Sequence, residues 1–150
     1  MLRVVVDTNV WVSALINPRG FPARMLKAFY DQRFELVLSD PLLEELANVV
    51  SRSGVARRID LSSDELVGVL VRMRATSDFV EVFGIEPVCR DPDDDMVIET
   101  VIRGDADVLV TRDDDLKGAS EVADYLMAHG KQVLTVNQFL ALLARGSDSN

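Results

Sequence analysis

The chain has 150 residues, of which 48% are hydrophobic and 27% are charged, and its formal net charge at pH 7 is −9. These values are typical of one globular domain with a buried core and exclude an intrinsically disordered chain. No apolar run approaches the ~20 residues that cross a bilayer, so we expect neither a membrane helix nor a signal peptide. The lone cysteine, Cys89, excludes an internal disulfide and suits a cytoplasmic protein.

Short β-branched runs predict five strands, several of them apolar throughout, as buried parallel strands are. In chain order they are LRVVV (2–6), FELVL (34–38), FVEVF (79–83), DVLVT (107–111) and QVLTV (132–136). Amphipathic segments between them predict helices. We expect Asp40 to cap the helix PLLEELANVVSR, Ser62 and Glu65 to form a capping box, Asn137 to cap the last helix and His129 to end the one before it.

The alternation of strands and helices predicts the fold class α/β. Right-handed crossovers then give a three-layer α/β/α sandwich around a central, mainly parallel five-stranded sheet. We expect a single domain over residues 1–145 and a flexible polar tail over 146–150. Ligands bind at the carboxyl ends of the strands in such sheets, so acidic residues at those ends are the first candidates for function.

The first candidate, Asp7, follows the apolar run Val4–Val6 and precedes Val10–Val12. Burying a lone carboxylate costs several kcal/mol unless something neutralises it, so Asp7 is a candidate cation ligand. The alternative is an ordinary turn or cap aspartate. On the next helix, Glu45 falls beside the apolar arc that includes Leu42 and Leu46, whereas Glu44 falls on the solvent side. Glu45 is therefore the second candidate.

The stretch RDPDDDMVIET (90–100) concentrates carboxylates at a predicted helix start. If the helix begins near residue 93, Asp94 lies at the centre of its buried face with Val97, Ile98, Val101 and Ile102, and Glu99 points away. Asp93 and Asp95 lie at the edges of this face, and Asp91 precedes it in a loop. The alternative is that these acids complement the helix dipole and keep the chain soluble.

The last candidates lie in LVTRDDDL (109–116), where Thr111 offers a hydroxyl and Asp113 follows in the strand-to-helix turn. Asp115 is expected to cap the next helix. Four separate segments thus place Asp7, Glu45, Asp94 and Asp113 at one edge of one sheet. Mutually close carboxylates need a counter-charge, and hard divalent cations with oxygen ligands supply it. Such a site suits hydrolysis of a phosphodiester by activated water.

The motifs VVVDTNVWVSALI, SDPLLEEL, CRDPDDDMVIETVI and DVLVTRDDDL follow in the order seen in PIN domains. Over roughly residues 2–140 the chain most resembles the bacterial toxin-type branch, the VapC-like nucleases of toxin–antitoxin pairs. The resemblance implies a Mg²⁺- or Mn²⁺-dependent RNA endonuclease that forms a homodimer or higher homo-oligomer and is silenced by a small antitoxin. The implied metal ligands and catalytic residues are Asp7, Glu45, Asp113 and Asp94, with Asp95 as the alternative to Asp94. Asn9 and Thr111 match polar positions that support the site, and Asp91 and Asp115 are further candidates for such support.

Arginines cluster away from these acids, so the net charge does not exclude RNA. We expect a basic rim that guides the RNA backbone, formed by Arg52, Arg57, Arg58, Arg72 and Arg74; the alternative is that these side chains only keep a helix soluble.

Three other functions compete with the nuclease. One is a catalytically weak PIN-like module that acts through protein contacts. Another is a receiver-type phospho-switch that uses Mg²⁺, which needs a lysine after the last strand, whereas Lys131 precedes it. The third is a haloacid-dehalogenase-type phosphatase, which needs a second aspartate where Asn9 stands.

Overall fold

The computed structural model describes residues 1–84, 88–112 and 120–148. One sheet contains all five strands of these ranges in the order β3-β2-β1-β4-β5, and every neighbouring pair is parallel. The strands are β1 (Arg3–Val6), β2 (Glu35–Leu38), β3 (Asp78–Phe79), β4 (Val108–Thr111) and β5 (Gln132–Thr135). The predicted α/β class and five-stranded parallel sheet are confirmed.

Helices cover both faces of this sheet. They are α1 (Thr8–Ile16), α2 (Phe21–Tyr30), α3 (Asp40–Ser51), α4 (Ser53–Ala56), α5 (Ser63–Thr76), α6 (Pro92–Arg103), α7 (Glu121–Ala128) and α8 (Val136–Asp148). Right-handed crossovers place α1 to α5 on one face and α6 and α7 on the other. The last helix, α8, packs against α2 and so returns to the first face, and it takes in the first three residues of the predicted tail 146–150.

The strand order reverses between β1 and β4, the neighbouring strands at the centre of the sheet. Val5 of β1 pairs with Leu109 of β4, and both strands are almost fully buried. The chain leaves β1 toward one face and, by the same handedness rule, leaves β4 toward the other. The two connections diverge and open a crevice at the carboxyl ends of these strands, where parallel sheets bind their ligands.

Gly104, just after α6, marks a close approach between this helix and the sheet. A Cβ atom there would lie 2.5 Å from Cγ1 of Val37 on β2 and 2.9 Å from Cγ2 of Val80. Real side chains do not approach so closely, so the end of α6 packs this near the sheet only because residue 104 has no side chain.

The predicted capping box at α5 is confirmed. Ser62 Oγ accepts from the backbone N–H of Glu65 at 3.1 Å, and Glu65 Oε1 accepts from the N–H of Ser62 at 3.1 Å. His129 ends α7 as predicted.

Two predicted caps are wrong. Helix α3 includes Asp40 and is preceded by Ser39, whose hydroxyl lies 2.8 Å from that of Thr100 on α6 and does not cap the helix. Asn137 lies inside α8. Thr135 and Gln138 open that helix instead, each accepting a hydrogen bond from the other's backbone N–H through its side-chain oxygen.

The predicted strand at 79–83 is wrong beyond its first residue, because β3 spans only Asp78–Phe79. One more ladder bond joins Val80 N to Leu38 O at 2.9 Å. The partner strand β2 ends at Leu38 and α3 begins at Asp40, so β3 has no further ladder partner. Farther along, the carboxylate of Glu99 on α6 accepts from the N–H groups of Phe83 (2.7 Å) and Gly84 (2.9 Å).

Within the described ranges, no helix has both the length and the apolar character needed to span a membrane.

Candidate functional site

A cavity of about 490 Å³ opens at the carboxyl edge of the sheet, at the point where the strand order reverses. The ends of β1 and β4 and the first turns of α6 and α7 form its walls, and α3 contributes one side chain. Its described lining includes six acidic residues: Asp7, Glu45, Asp91, Asp93, Asp94 and Glu121. Three of the four carboxylates that the sequence predicted to converge therefore face one cavity.

Besides lining the cavity, Asp7 caps α1 and connects this helix to β4. It caps α1, because its Oδ1 accepts from the backbone N–H of Asn9 at 3.2 Å. Its Oδ2 accepts from the hydroxyl of Thr111 at 3.3 Å, and its own N–H donates to Val110 O at 2.9 Å. Asp7 is therefore a cap residue, as the alternative had it, that also lines the cavity, and β4 helps to orient its carboxylate.

Glu45 points from α3 toward the cavity, and Glu44 faces solvent, as the helical geometry predicted. One oxygen of Glu45 accepts from the buried hydroxyl of Thr8 at 2.9 Å. Thr8 is the first residue of α1, directly after Asp7, so a single helix start orients two of the acids. The sequence analysis did not identify Thr8, although its position next to Asp7 was a usable signal.

The structure separates the two alternatives in DPDDD. Asp94 is half-buried and lines the cavity. Asp95 does not line it, because its Oδ1 accepts from the backbone N–H groups of Val88 (3.2 Å) and Cys89 (2.9 Å). Asp95 thus ties down the loop before α6, and of the two only Asp94 faces the cavity.

The remaining predicted supporting residues divide into two groups. Asn9, Asp91 and Thr111 line the cavity, and Asp91 also caps α6 by accepting from the N–H of Asp93 at 2.9 Å. Asp113 and Asp115 lie outside the residues that the structure describes, so their predicted roles stay predictions.

Glu121, which the sequence analysis missed, adds a carboxylate from the first turn of α7. It accepts from the backbone N–H of Arg90 at 2.8 Å and forms an ion pair with Arg90 Nε at 3.4 Å. Arg90 is the basic residue among the described side chains that line the cavity. An acid directly after Ser120, the residue that caps α7, was the signal for this position.

Negative charge accumulates in the cavity and alters the titration of its neighbours. Burial raises the pKa of Asp94 above its ordinary value of 3.8, and the charges of Asp91 and Glu121 raise it further. Burial likewise raises the pKa of the Cys89 thiol to about 12, with Asp95 and Asp94 contributing. An ionised Asp94 is therefore held at an energetic cost that a cation would relieve.

The donor set fits a hard divalent cation. Every acid that faces the cavity offers oxygen, and Mg²⁺ takes one or two carboxylates together with water and substrate oxygens. The described ranges hold no group of three or more His, Cys, Asp or Glu side chains placed to enclose a metal by themselves. Asp7, Glu45 and Asp94 face the cavity from separate walls, so a cation in it would take one or two of these carboxylates together with water or substrate oxygens.

Only one of the five predicted RNA-contacting arginines borders the acidic region. Arg52 lines a second, adjoining cavity. Arg74 pairs with Asp40 at 3.0 Å, and Arg72 lies 4.8 Å from the ring centroid of Tyr30, so these two stabilise the packing of α5. Arg57 and Arg58 are exposed and line neither cavity.

Glu99 differs from the solvent-facing position that the helical wheel suggested. Its side chain is 1% exposed and accepts from Arg103 Nε at 2.7 Å in addition to the two backbone groups of the loop after β3. Ile102, expected on the buried face, is instead 38% exposed. Helix α6 therefore has a second buried face, at Glu99, which binds the loop after β3 through the backbone of Phe83 and Gly84.

Comparison with known proteins agrees with this geometry. The PIN domain family matches residues 3–115, a range that includes Asp7, Glu45 and Asp94. An uncharacterized protein of Methanocaldococcus jannaschii is 29% identical over 125 residues, which cover 83% of this chain and 79% of that relative. Because the family match extends over more than half of the sequence, the chain belongs to the PIN domain family, whose members are generally nucleases.

Proposed function

We propose that this PIN domain is a Mg²⁺- or Mn²⁺-dependent endoribonuclease that hydrolyses RNA phosphodiester bonds with activated water. The convergence of Asp7, Glu45 and Asp94 on one cavity carries this proposal, because β1, α3 and α6 supply these acids independently. Asp113, two residues after the end of β4 in the sequence, is the proposed fourth ligand. A divalent cation, when bound, supplies the charge that activates water and neutralises the phosphate.

The residues of the chain orient the acids for this chemistry. The hydroxyls of Thr8 and Thr111 each donate to a carboxylate, to Glu45 and Asp7 respectively. Such supporting contacts fix ligand orientation and typically change metal affinity or activity by about 10- to 100-fold. Arg90 is placed to bind a phosphate at the mouth of the cavity.

Cleavage of labelled RNA by purified protein tests the proposal. The wild type should cut RNA with Mg²⁺ or Mn²⁺ and not with EDTA. Asp7→Asn should lower the rate by at least about 100-fold, because it removes a charged ligand. Asparagine also caps helices well, so the fold should survive.

The matched control is Asp31→Asn, which removes an exposed acid that pairs with Lys27 at 2.8 Å, outside the cavity. It should leave cleavage unchanged. If Asp7→Asn keeps full metal-dependent activity, the assigned site is wrong. If the wild type cuts no RNA under any metal, the protein acts as the catalytically weak module that works through protein contacts.

We also propose that the protein is the toxin of a type II toxin–antitoxin pair and assembles as a homodimer. The order of its motifs, shared with toxin-type relatives, supports this role. Controlled expression of the wild type should arrest growth, Asp7→Asn should not, and co-expression of a small neighbouring open reading frame should restore growth. Growth that continues at high levels of active wild-type protein would refute the toxin role and leave the nuclease proposal standing.

A further inference from the structure

A second cavity of about 330 Å³ lies between α3 and α6 and joins the acidic cavity. The two share Glu45 and Asp93 as lining residues, so an occupant of the second cavity lies directly beside the proposed cleavage site. An RNA strand that crosses the acids therefore has one continuous path leading away over α3.

The inner wall of this second cavity is apolar. Leu42 is 5% exposed and Met96 is half-buried, and both line it. Unpaired RNA bases are bound through their flat faces, against apolar or aromatic side chains. This wall suits a base and offers nothing to a phosphate.

The polar groups at the rim are mainly acceptors. Glu44 and Asp93 are exposed carboxylates, and Asn48 adds an amide one turn beyond Glu44. Carboxylates repel a phosphate, but they accept hydrogen bonds from the exocyclic amino group of cytosine. Adenine and guanine carry an exocyclic amino group as well. Uracil has a ring N3–H but no amino group, and it presents the carbonyl oxygen O4 in that place, which a carboxylate repels. The rim therefore distinguishes bases by the exocyclic group at this position.

Arg52 lies at the far end of this path, at the C-terminus of α3, and its side chain is exposed. A guanidinium in this place can bind a backbone phosphate, a contact that positions a strand without reading its sequence. The cavity thus offers separate groups for the base and for the backbone.

We infer that the second cavity binds one unpaired RNA base beside the cleaved bond and favours a base with an exocyclic amino group over uracil. Glu44 and Asn48 read the base, and Arg52 holds the backbone. The identity of the ligand as RNA rests on the proposed function, but the base preference can be measured by binding alone.

Fluorescence anisotropy of labelled hexacytidylate and hexauridylate tests this inference. These two probes differ at each base by an amino group in place of a carbonyl. The Asp7→Asn protein in Mg²⁺ should bind hexacytidylate tighter by about fivefold or more. Adding Glu44→Gln should bring the two affinities together, because glutamine offers uracil a donor. The matched control Glu81→Gln, an exposed acid outside the cavity, should leave the ratio unchanged.

Arg52→Ala separates the two roles. It should weaken both probes by the same factor, whereas Arg19→Ala, at the opposite end of α1 from Asp7, should weaken neither. Equal binding of the two probes, a preference that survives Glu44→Gln, or no binding of either probe would overturn the inference. The wild type could cut no RNA while the preference for hexacytidylate still depended on Glu44. This result would support the base-binding cavity and refute the proposed nuclease activity.

Discussion

Glu99→Ala should be among the most destabilising single substitutions in α6. The side chain is 1% exposed and accepts from Phe83 N at 2.7 Å, Gly84 N at 2.9 Å and Arg103 Nε at 2.7 Å. Each amide left without a partner costs about 1–3 kcal/mol, and removing one member of a buried ion pair costs about 3–5 kcal/mol. Arg103 is 44% exposed and Phe83 and Gly84 are exposed residues, so all three donors can hydrate in part once the carboxylate is gone. We expect a loss of about 2–3 kcal/mol.

Urea denaturation followed by circular dichroism measures this loss. Arg103→Ala should cost less, because Glu99 keeps both backbone donors. Lys27→Ala, which removes an exposed ion pair at the same i,i+4 spacing, should cost less than about 0.5 kcal/mol. If Glu99→Ala unfolds within about 1 kcal/mol of the wild type with an unchanged denaturant slope, the loop is not anchored by this carboxylate.

Three further predictions concern the site and its supports. Without divalent cations, Asp94→Asn should stabilise the protein at neutral pH, because the raised pKa of Asp94 shows that its ionised form is unfavourable in the folded state. This gain in the free energy of unfolding should shrink as the pH falls through the raised pKa and disappear below pH 3.8, the ordinary pKa of the group. Mg²⁺ should raise the melting temperature of the wild type more than that of the variant. Gly104→Ala should lower the free energy of unfolding, measured by urea titration, by about 1–3 kcal/mol. Gly68→Ala should raise it by up to about 1 kcal/mol, because Gly68 lies in α5 with open space around it. Equal effects of the two substitutions would refute the close packing at Gly104. Because burial helps raise the pKa of Cys89 to about 12, iodoacetamide should modify the native protein far more slowly at pH 7 than the urea-unfolded protein, and equal rates would contradict this environment.

The sheet was predictable because its signal is local. Runs such as VVV (4–6) and VLV (108–110) are apolar and rich in β-branched residues, and the strands β1, β2, β4 and β5 begin and end within about one residue of the prediction. The direction of Glu45 was equally predictable, since helical geometry alone separates it from Glu44. Parallel pairing then brought Asp7 and Thr111 together without further information.

Long-range contacts explain what the sequence did not reveal. β3 is short because its partner β2 ends at Leu38, and the segment after it is tied to α6 by Glu99, which accepts from Phe83 N and Gly84 N. Similarly, the position of Asp95 depends on a loop whose N–H groups it binds. A helical wheel shows which way these side chains point and does not show what they meet.

The arginines illustrate a similar limit. Composition marked five of them as a basic rim, but Arg74 is engaged by Asp40 and Arg72 by Tyr30, and of the five only Arg52 lines a cavity that adjoins the acids. Long side chains choose partners from whichever element packs nearby, so the distinction between structural and substrate-facing arginines requires the folded chain.

The capping bond of Asp7 has a consequence for how this domain could lose the proposed activity over evolutionary time. Alanine at position 7 would remove the cap of α1, the helix that also presents Thr8 to Glu45. Asparagine or serine at position 7 would remove the carboxylate and still cap the first turn of α1. We therefore expect inactive descendants of this sequence to carry a small polar residue at position 7, so that a silenced copy still looks intact in its backbone.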